Sequence, residues 1–116
     1  MYVLQYCSLG ETEDSIHTWN DKGITLGKLE KHEEALSCFE EAIRLDPEYS
    51  VAWYNKAIAL GELERHEEAI ACYDEAIKWE PEKSDAWYNK AELLKHKGQD
   101  AESETCFTKV KELEGE

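Results

Sequence analysis

The chain has 116 residues, with 27 acidic against 13 basic side chains, and its formal net charge is −14 at neutral pH. A hydrophobic fraction of 41% can support the core of one small domain, so the composition excludes a simply disordered chain. No apolar run reaches the roughly 20 residues of a membrane span. Because affinity for phosphates depends on clustered lysine and arginine, we also expect no nucleic-acid partner.

Residues 1–15 form an N-terminal extension that does not share the pattern of the rest. Its first nine residues are mostly apolar, and an acidic run from Glu11 to Ser15 follows. Three interpretations stay open: a partial capping segment that packs on the first repeat, a disordered or artificial tail, and a segment that drives self-association. Cys7 lies here, and we expect it to be available for an intermolecular disulfide in vitro.

The rest of the chain is a repeat with a period of 34 residues. The same residue type recurs at this spacing in four sets: Trp19, Trp53 and Trp87; Cys38, Cys72 and Cys106; Lys22, Lys56 and Lys90; Leu26, Leu60 and Leu94. The first two repeats are identical at 17 of 34 positions. Self-similarity at a fixed period is the signature of stacked repeat architectures.

Each repeat predicts two amphipathic helices separated by a polar turn. In the second repeat, apolar residues recur at helical spacing from Trp53 to Leu63 and again from Ala69 to Ile77. Pro81 ends the second helix, because a proline disfavours helical geometry at the preceding residue. We predict helices over residues 17–29, 34–45, 51–63, 68–79, 85–97 and 100–113.

Three side chains receive specific structural predictions. Ser50 and Ser84 stand at the starts of the third and fifth helices, where serine is a favoured N-cap. The ring of Trp53 is expected to be buried between helices, so that its removal would cost about 3–5 kcal/mol.

These residues resemble the tetratricopeptide repeat family, whose 34-residue units share a tryptophan, small residues, an aromatic residue and a proline. The first two repeats carry the pattern at Trp19, Gly23, Leu26, Ala35, Phe39 and Pro47, and at Trp53, Ala57, Leu60, Ala69, Tyr73 and Pro81. The resemblance implies an all-α fold of three tandem antiparallel helix-turn-helix repeats, at 16–49, 50–83 and 84–116. It also implies stacking as a short right-handed superhelix.

The chain departs from the family pattern in two ways. Lysine replaces the usual leucine three residues after each tryptophan, and we expect its stem to lie on apolar surface with the ammonium in water. In the third repeat, Ser103 and Val110 replace small residues and Gly115 replaces the proline. Its polar second helix suits a terminal capping repeat. We therefore expect no further repeat after Glu116, the alternative being a fragment of a longer array.

No arrangement in the sequence predicts catalysis, a cofactor or a bound metal. The repeated cysteines Cys38, Cys72 and Cys106 occupy equivalent places too far apart for disulfides, which predicts free thiols and a cytoplasmic location. His32 and His66 lack the second histidine of the zinc-binding H-E-x-x-H motif. We expect a protein that is not an enzyme and needs no cofactor.

In the family, the first helix of each repeat lines a concave groove that receives peptides. Carried over by position, the expected peptide-binding residues are Asn20, Ile24, Tyr54, Asn55, Ile58, Tyr88, Asn89 and Glu92. Tyrosine is enriched at protein interfaces, although the two tyrosines follow the repeated tryptophan and could simply belong to the repeat pattern.

Some family members clamp the acidic C-terminal tails of heat-shock chaperones with lysine, arginine and asparagine. The matching positions here hold Asn20, Ile24, Asn55, Asp85 and Asn89, of which only Asn55 agrees. Asp85 places a negative charge where the clamp has a cation. We therefore do not expect chaperone-tail binding by this mode.

The prediction from sequence is a non-catalytic protein–protein interaction module or scaffold that binds a peptide or a helix in its concave groove. The partner is expected to be neutral or basic because of the net negative charge, which is spread evenly over the repeats and so does not mark a single acidic docking patch. The alternative is a structural self-assembly unit that stacks through repeat ends or through the N-terminal segment. We expect a monomer, with self-association as the alternative.

Overall fold

The computed structural model describes residues 13–115, which form six α-helices. These are α1 Glu13–Lys28, α2 His32–Leu45, α3 Ser50–Glu62, α4 His66–Trp79, α5 Ser84–His96 and α6 Asp100–Leu113. The predicted all-α class is confirmed, and the helix boundaries agree with prediction to within two residues except at the start of α1. That helix begins four residues early, where acidic residues are favourable partners for the N-terminal end of the helix dipole.

A residue with left-handed backbone geometry lies in the turn within each hairpin. Glu30 has φ 61°, Glu64 has φ 60° and Gly98 has φ 82°. These three positions are 34 residues apart, so the turn is repeated along with the helices. Because the reversal is this tight, the next helix resumes at His32 and His66, two residues earlier than the hydrophobic pattern predicts.

The N-cap prediction for Ser50 and Ser84 was wrong. Both serines are the first helical residues of α3 and α5, and they follow Tyr49 and Lys83, which make no side-chain capping bond. The Ser50 hydroxyl instead donates to Glu80 Oε1 at 2.6 Å. The turn before α3 leads into the helix without a capping side chain. The Ser50 hydroxyl therefore bonds within its own hairpin and links the start of α3 to the end of α4.

The second helix of each of the first two hairpins ends before a proline, as predicted. The carbonyl oxygens of Pro47 and Pro81 accept hydrogen bonds from Trp53 Nε1 at 2.7 Å and from Trp87 Nε1 at 2.9 Å. These bonds lie at the protein surface, so Trp53 is only partly buried. The expectation of a fully buried ring was wrong, because the indole N–H must reach this exposed carbonyl.

The helices pair into three hairpins, α1–α2, α3–α4 and α5–α6, and the contacts α2–α3 and α4–α5 stack one hairpin on the next. Alanines with no exposed surface occupy the helix contacts: Ala35, Ala42, Ala52, Ala57, Ala69, Ala76, Ala86 and Ala91. Because alanine carries only a Cβ atom, the helix backbones approach closely. At Gly23 in α1 there is no room even for a Cβ atom, since a methyl group there would lie 2.5 Å from Phe39 Cε1.

The third hairpin keeps this packing with different side chains. Ser103 is 2% exposed, and its hydroxyl donates to the carbonyl oxygen of Ala91 at 2.9 Å. A buried hydroxyl with a partner avoids the cost of an unsatisfied polar group. The serine at this small-residue position therefore belongs to the hairpin core, and the polar outer face of α6 comes from its other residues.

Residues 1–12 and 116 lie outside the described part of the chain. The predictions for the N-terminal extension and for Cys7 fall on these residues, apart from residues 13–15, which belong to α1. Among the described helices, none has the length and apolar character needed to cross a membrane.

Candidate peptide-binding groove

The eight residues predicted to bind a peptide lie on α1, α3 and α5, the first helices of the three hairpins. Their exposure differs widely. Tyr88 is 47% and Ile58 39% exposed, and Glu92 is also exposed, whereas Asn20 is only 4% exposed. The remaining four are partly buried, namely Ile24, Tyr54, Asn55 and Asn89. Asn20 is therefore almost inaccessible to a ligand, whereas each of the other seven has exposed surface that a ligand can contact.

Two hydrogen bonds connect these helices at equivalent positions. Asn55 Nδ2 on α3 donates to Asn20 Oδ1 on α1 at 3.0 Å. Asn89 Nδ2 on α5 donates to Tyr54 Oη on α3 at 2.9 Å. Since Asn20 and Tyr54 are 34 residues apart, as are the two donors, the same bond is made at both contacts between hairpins. It sets the relative position of the first helices along this surface.

Tyr54 is held from several sides. Its ring meets the Tyr73 ring edge-on, with centroids 5.8 Å apart, and Lys83 Nζ lies 4.9 Å from the Tyr54 ring centroid. Burial raises the pKa of Tyr54 most, the nearby carboxylate of Asp85 raises it further, and the bond from Asn89 lowers it. The phenol is thus neutral and fixed at physiological pH. A fixed aromatic group loses little conformational freedom when it binds a partner.

Tyr88 is the exposed counterpart of Tyr54 on α5. Its ring packs edge-on against Phe107 of α6, with centroids 5.6 Å apart. A hydrogen bond with Glu92 raises the pKa of the Tyr88 phenol. The phenol and the carboxylate together give the third hairpin a polar, anionic surface on this side.

An apolar pocket opens between the first two hairpins. Its volume is about 240 Å³, and its lining is Gly23, Ile24, Gly27, Lys28, His32, Ala35, Phe39, Asn55, Ile58 and Ala59. Three of the predicted residues, Ile24, Asn55 and Ile58, meet at this pocket. The structure brings them together through the stacking of α1 against α2 and α3.

Charged and imidazole side chains lie near the turns, at the ends of the first helices and at the starts of the second helices. His32 Nε2 is 3.7 Å from Glu62 Oε2 at the first contact between hairpins. At the second contact the equivalent pair is His66 and His96, whose ring centroids are 5.2 Å apart. Within residues 13–115, no group of histidine, cysteine and carboxylate side chains is arranged to hold a metal ion.

The lysines that replace the family leucine take part in packing and in ion pairs. Lys22, Lys56 and Lys90 place Nζ over the preceding tryptophan, 5.3, 5.5 and 5.9 Å from the ring centroids. Lys56 also pairs with Glu40 at 3.5 Å, and Lys90 pairs with Asp74 at 2.6 Å. These pairs join neighbouring hairpins, α2 to α3 and α4 to α5. The lysines serve the stack rather than the groove.

Seven of the ten pocket residues were not among the eight predicted, and Gly27, Phe39 and Ala59 are three of these seven. The prediction considered only which side chains point into a groove, whereas the pocket exists where side chains are small. A signal was present in the sequence, because position 59 holds alanine while the equivalent position 93 holds leucine. A residue that differs between otherwise similar repeats indicates a position at which the repeats have different functions.

Models of known families match most of the repeated region. One model, described as tetratricopeptide repeat, matches residues 20–78, and a second with the same description matches residues 72–105. The chain belongs to the tetratricopeptide repeat family. None of the curated proteins matches the sequence significantly.

Solved structures of tetratricopeptide repeat proteins share this fold. The first such domain of Spaghetti (RPAP3), bound to the HSP90 peptide SRMEEVD, has TM-score 0.86 and 21% identity, covering 90% of this chain and 82% of that one. The Yersinia enterocolitica type III secretion translocator chaperone SycD has TM-score 0.84 and 22% identity, covering 88% and 77%. A crystal structure of MamA has TM-score 0.85 and 22% identity, covering 86% of this chain. The match spans 58% of the MamA chain.

Proposed function

We propose that this tetratricopeptide repeat chain is a non-catalytic interaction module that binds a peptide or a helix along α1, α3 and α5. The observation that carries the proposal is the apolar pocket beside the row of tyrosine and asparagine side chains on these helices. Concave sites with an apolar lining and a few fixed polar groups are typical ligand sites.

The polar groups supply what a peptide backbone needs. A backbone amide and carbonyl must find hydrogen-bond partners when a peptide leaves water. Asn55 uses one amide N–H within the protein, which leaves a second N–H and the side-chain carbonyl, whereas Asn89 bonds to the phenols of both Tyr54 and Tyr73 and keeps its side-chain carbonyl. Because the internal bond fixes each side chain, these remaining groups are already oriented for an incoming chain.

The charge on this surface favours a neutral or basic partner. Asp21, Asp85 and Glu92 are exposed carboxylates on α1 and α5, and the whole chain carries −14. A field of this sign attracts cationic peptides and repels acidic ones over distances of about 8 Å at physiological salt.

The similar structures support peptide binding as a use of this fold, with a different ligand chemistry. The Spaghetti domain is bound to a peptide that ends in two glutamates, a valine and an aspartate. Here Asp85 occupies a position where a cation would be needed to hold such a tail, and Asn20 is buried against Asn55. We therefore propose a partner other than an acidic chaperone tail.

Selection from a random displayed peptide library, panned on the immobilised full chain, tests the proposal. Enriched peptides should bind the variant Tyr54→Ala/Asn55→Ala about tenfold more weakly or worse, because groups at the centre of an interface carry most of its energy. The control is Ser37→Ala/Thr105→Ala, two exposed positions on α2 and α6. Equal affinity for both variants, or no enriched peptide, would contradict the groove assignment.

Self-association is the second candidate function. Leu29 is 61% and Tyr88 47% exposed at opposite ends of the stack of helices, which leaves apolar surface for another copy. We expect a monomer, so sedimentation should give one mass across a wide concentration range. A mass that rises with concentration would favour the self-assembly unit.

We also propose a cytoplasmic location. Cys38, Cys72 and Cys106 are buried free thiols, a state that a reducing compartment preserves. Fractionation of the source cell would test this, and recovery in a compartment that forms disulfides would contradict it.

A further inference from the structure

We propose that the pocket between the first two hairpins holds one aliphatic side chain of an extended, neutral or basic peptide, as the anchor of that peptide. This inference rests on the proposed peptide-binding function and specifies the ligand. The anchor is of leucine, isoleucine or methionine size. The cleft at the neighbouring contact, between the second and third hairpins, is lined mostly by charged and imidazole side chains and offers no matching apolar place for it.

The pocket exists because two side chains are small. A Cβ built on Gly27 would meet no atom within 4 Å, so the space beside α1 is open. Ala59 leaves further space on α3, where its equivalent on α5 is Leu93. Ile58, which gives the pocket an apolar wall, has Glu92 as its equivalent. The second contact keeps a cleft at the corresponding place, but its lining is mostly polar: Gly61, Glu62, Glu64, His66, Leu93 and His96.

The lining selects an apolar anchor. Apart from Lys28, His32 and Asn55, every lining residue is glycine, alanine, isoleucine or phenylalanine. The Lys28 ammonium forms no ion pair with any residue from 13 to 115, so it would repel a lysine or arginine that entered. For scale, an apolar cavity of about 150 Å³ admits benzene. The volume here, about 240 Å³, suits an aliphatic side chain.

Asn55 fixes the backbone of the anchor residue. It lines the pocket, and its bond to Asn20 leaves one side-chain N–H and the side-chain carbonyl for a ligand. Because Asn55 is one of the lining residues, we infer that these two groups satisfy the donor and the acceptor of one peptide unit next to the anchor. This requirement favours an extended chain, since a helical ligand uses its own backbone groups internally.

Charge complementarity gives the peptide a direction. The exposed carboxylates Asp85 and Glu92 lie on α5, one hairpin beyond the pocket wall on α3. The bond from Asn89 to Tyr54 brings the facing side chains of α5 and α3 together, and an extended chain covers about 10 Å in three residues. We therefore expect a lysine or arginine about three residues from the anchor, on the side of the third hairpin.

Two variants fill the pocket from opposite walls. Ala59→Leu copies the leucine that α5 already carries at this position, and Gly27→Leu extends a side chain into the open space. The matched control is Gly61→Leu, the equivalent of Gly27 in the second hairpin, where a Cβ also meets no atom within 4 Å. Circular dichroism and thermal unfolding establish that each variant is folded. If Ala59→Leu does not fold, the comparison of Gly27→Leu with Gly61→Leu still tests the inference.

The test measures the affinities of peptides enriched from the displayed library for the full chain and the three variants. The enriched sequences should share an aliphatic position with a basic residue about three places away. Affinity should fall at least about tenfold in Ala59→Leu and in Gly27→Leu, since the anchor can no longer be buried. Gly61→Leu should bind as the original chain does.

Three results would overturn the inference, and they distinguish failure of the anchor from failure of peptide binding itself. Peptides that lose affinity in Tyr54→Ala/Asn55→Ala but bind both pocket variants normally would leave peptide binding standing and refute the anchor. The same conclusion follows if the enriched peptides share no aliphatic position. No enriched peptide at all would refute both the anchor and the proposed function.

Discussion

The two contacts between neighbouring hairpins use the same sequence positions, yet only the first has an open apolar pocket. At the first contact the space beside α1 and α3 is bounded by Gly27 and Ala59. At the second, Leu93 and Glu92 replace Ala59 and Ile58, and the cleft that remains is lined mostly by charged and imidazole side chains. Duplication therefore preserves the stacking, while a few substitutions decide where the surface can accept a ligand.

What the two contacts share is equally informative. Each has an asparagine that donates to the preceding first helix and a lysine that pairs with a carboxylate on the preceding second helix. These polar bonds recur because they hold adjacent hairpins in register. Ala59 and Ile58 make none of these bonds and are replaced by Leu93 and Glu92 at the second contact, which is why this difference points to binding.

The largest expected effect comes from removing the aromatic ring at the first contact. Phe39 is 4% exposed, so Phe39→Ala should lower the free energy of unfolding by about 3–5 kcal/mol. Chemical denaturation measures this directly. Its counterpart Tyr73→Phe keeps the ring and should cost about 1 kcal/mol. Similar losses in both variants would show that the aromatic ring at position 39 does not support the stack.

Gly23→Ala should have the next largest effect. The added methyl group would lie 2.5 Å from Phe39 Cε1, and overpacking of this kind costs about 1–3 kcal/mol. Replacing a helical glycine by alanine stabilises the folded state by up to about 1 kcal/mol, so the free energy of unfolding should fall by about 1–2 kcal/mol in total. The reverse change at the second hairpin, Ala57→Gly, should cost about 1 kcal/mol. A more stable Gly23→Ala variant would contradict this packing.

The cysteines predict a pH dependence. Burial raises the pKa of the Cys72 thiol to about 11 from its ordinary value of 9.0. The folded chain then holds this proton more tightly than the unfolded chain. Stability from this group is complete below pH 9 and is lost as the pH rises towards 11. Denaturation between pH 8 and 11, compared with Cys72→Ala, should show a steeper loss in the original chain. Identical slopes would contradict a buried thiol.

The smallest expected effect concerns the lysines that link the hairpins. Lys90 Nζ lies 2.6 Å from Asp74 Oδ1, whereas Lys56 Nζ lies 3.5 Å from Glu40 Oε2. Both carboxylates are about half exposed, so each pair contributes about 0.2–1 kcal/mol. Lys90→Gln should lower the melting midpoint slightly more than Lys56→Gln, and added salt should reduce the difference. A larger decrease in Lys56→Gln than in Lys90→Gln would show that the N–O distance does not determine which of these ion pairs contributes more stability.

Most of the fold was predictable because the period of 34 fixes which residues are equivalent. Trp53 and Pro81 bracket a hairpin that the hydrophobic pattern describes almost residue by residue. The roles of Ser50 and Ser84 were not predictable, since the same hydroxyl can cap its own helix or bond to the next one. Only the three-dimensional path of the turn decides between these two outcomes.

The candidate site was only partly accessible from the sequence. Ile24, Asn55 and Ile58 do line one pocket, but Asn20 is buried by the same asparagine that the pattern marked as its neighbour in the groove. The pocket itself comes from atoms that are missing at positions 27 and 59. Motif positions identify side chains that face a surface, whereas a cavity depends on packing across three helices.

Chemical-shift mapping tests the central claim most directly, namely that the first contact and not the second receives the ligand. A library-enriched peptide would be titrated into the isotope-labelled full chain. The largest shifts are expected at the backbone amides of Gly23, Gly27 and Ala59, with small changes at their equivalents Ala57, Gly61 and Leu93. Equal shifts at both sets, or shifts confined to α2, α4 and α6, would contradict the account.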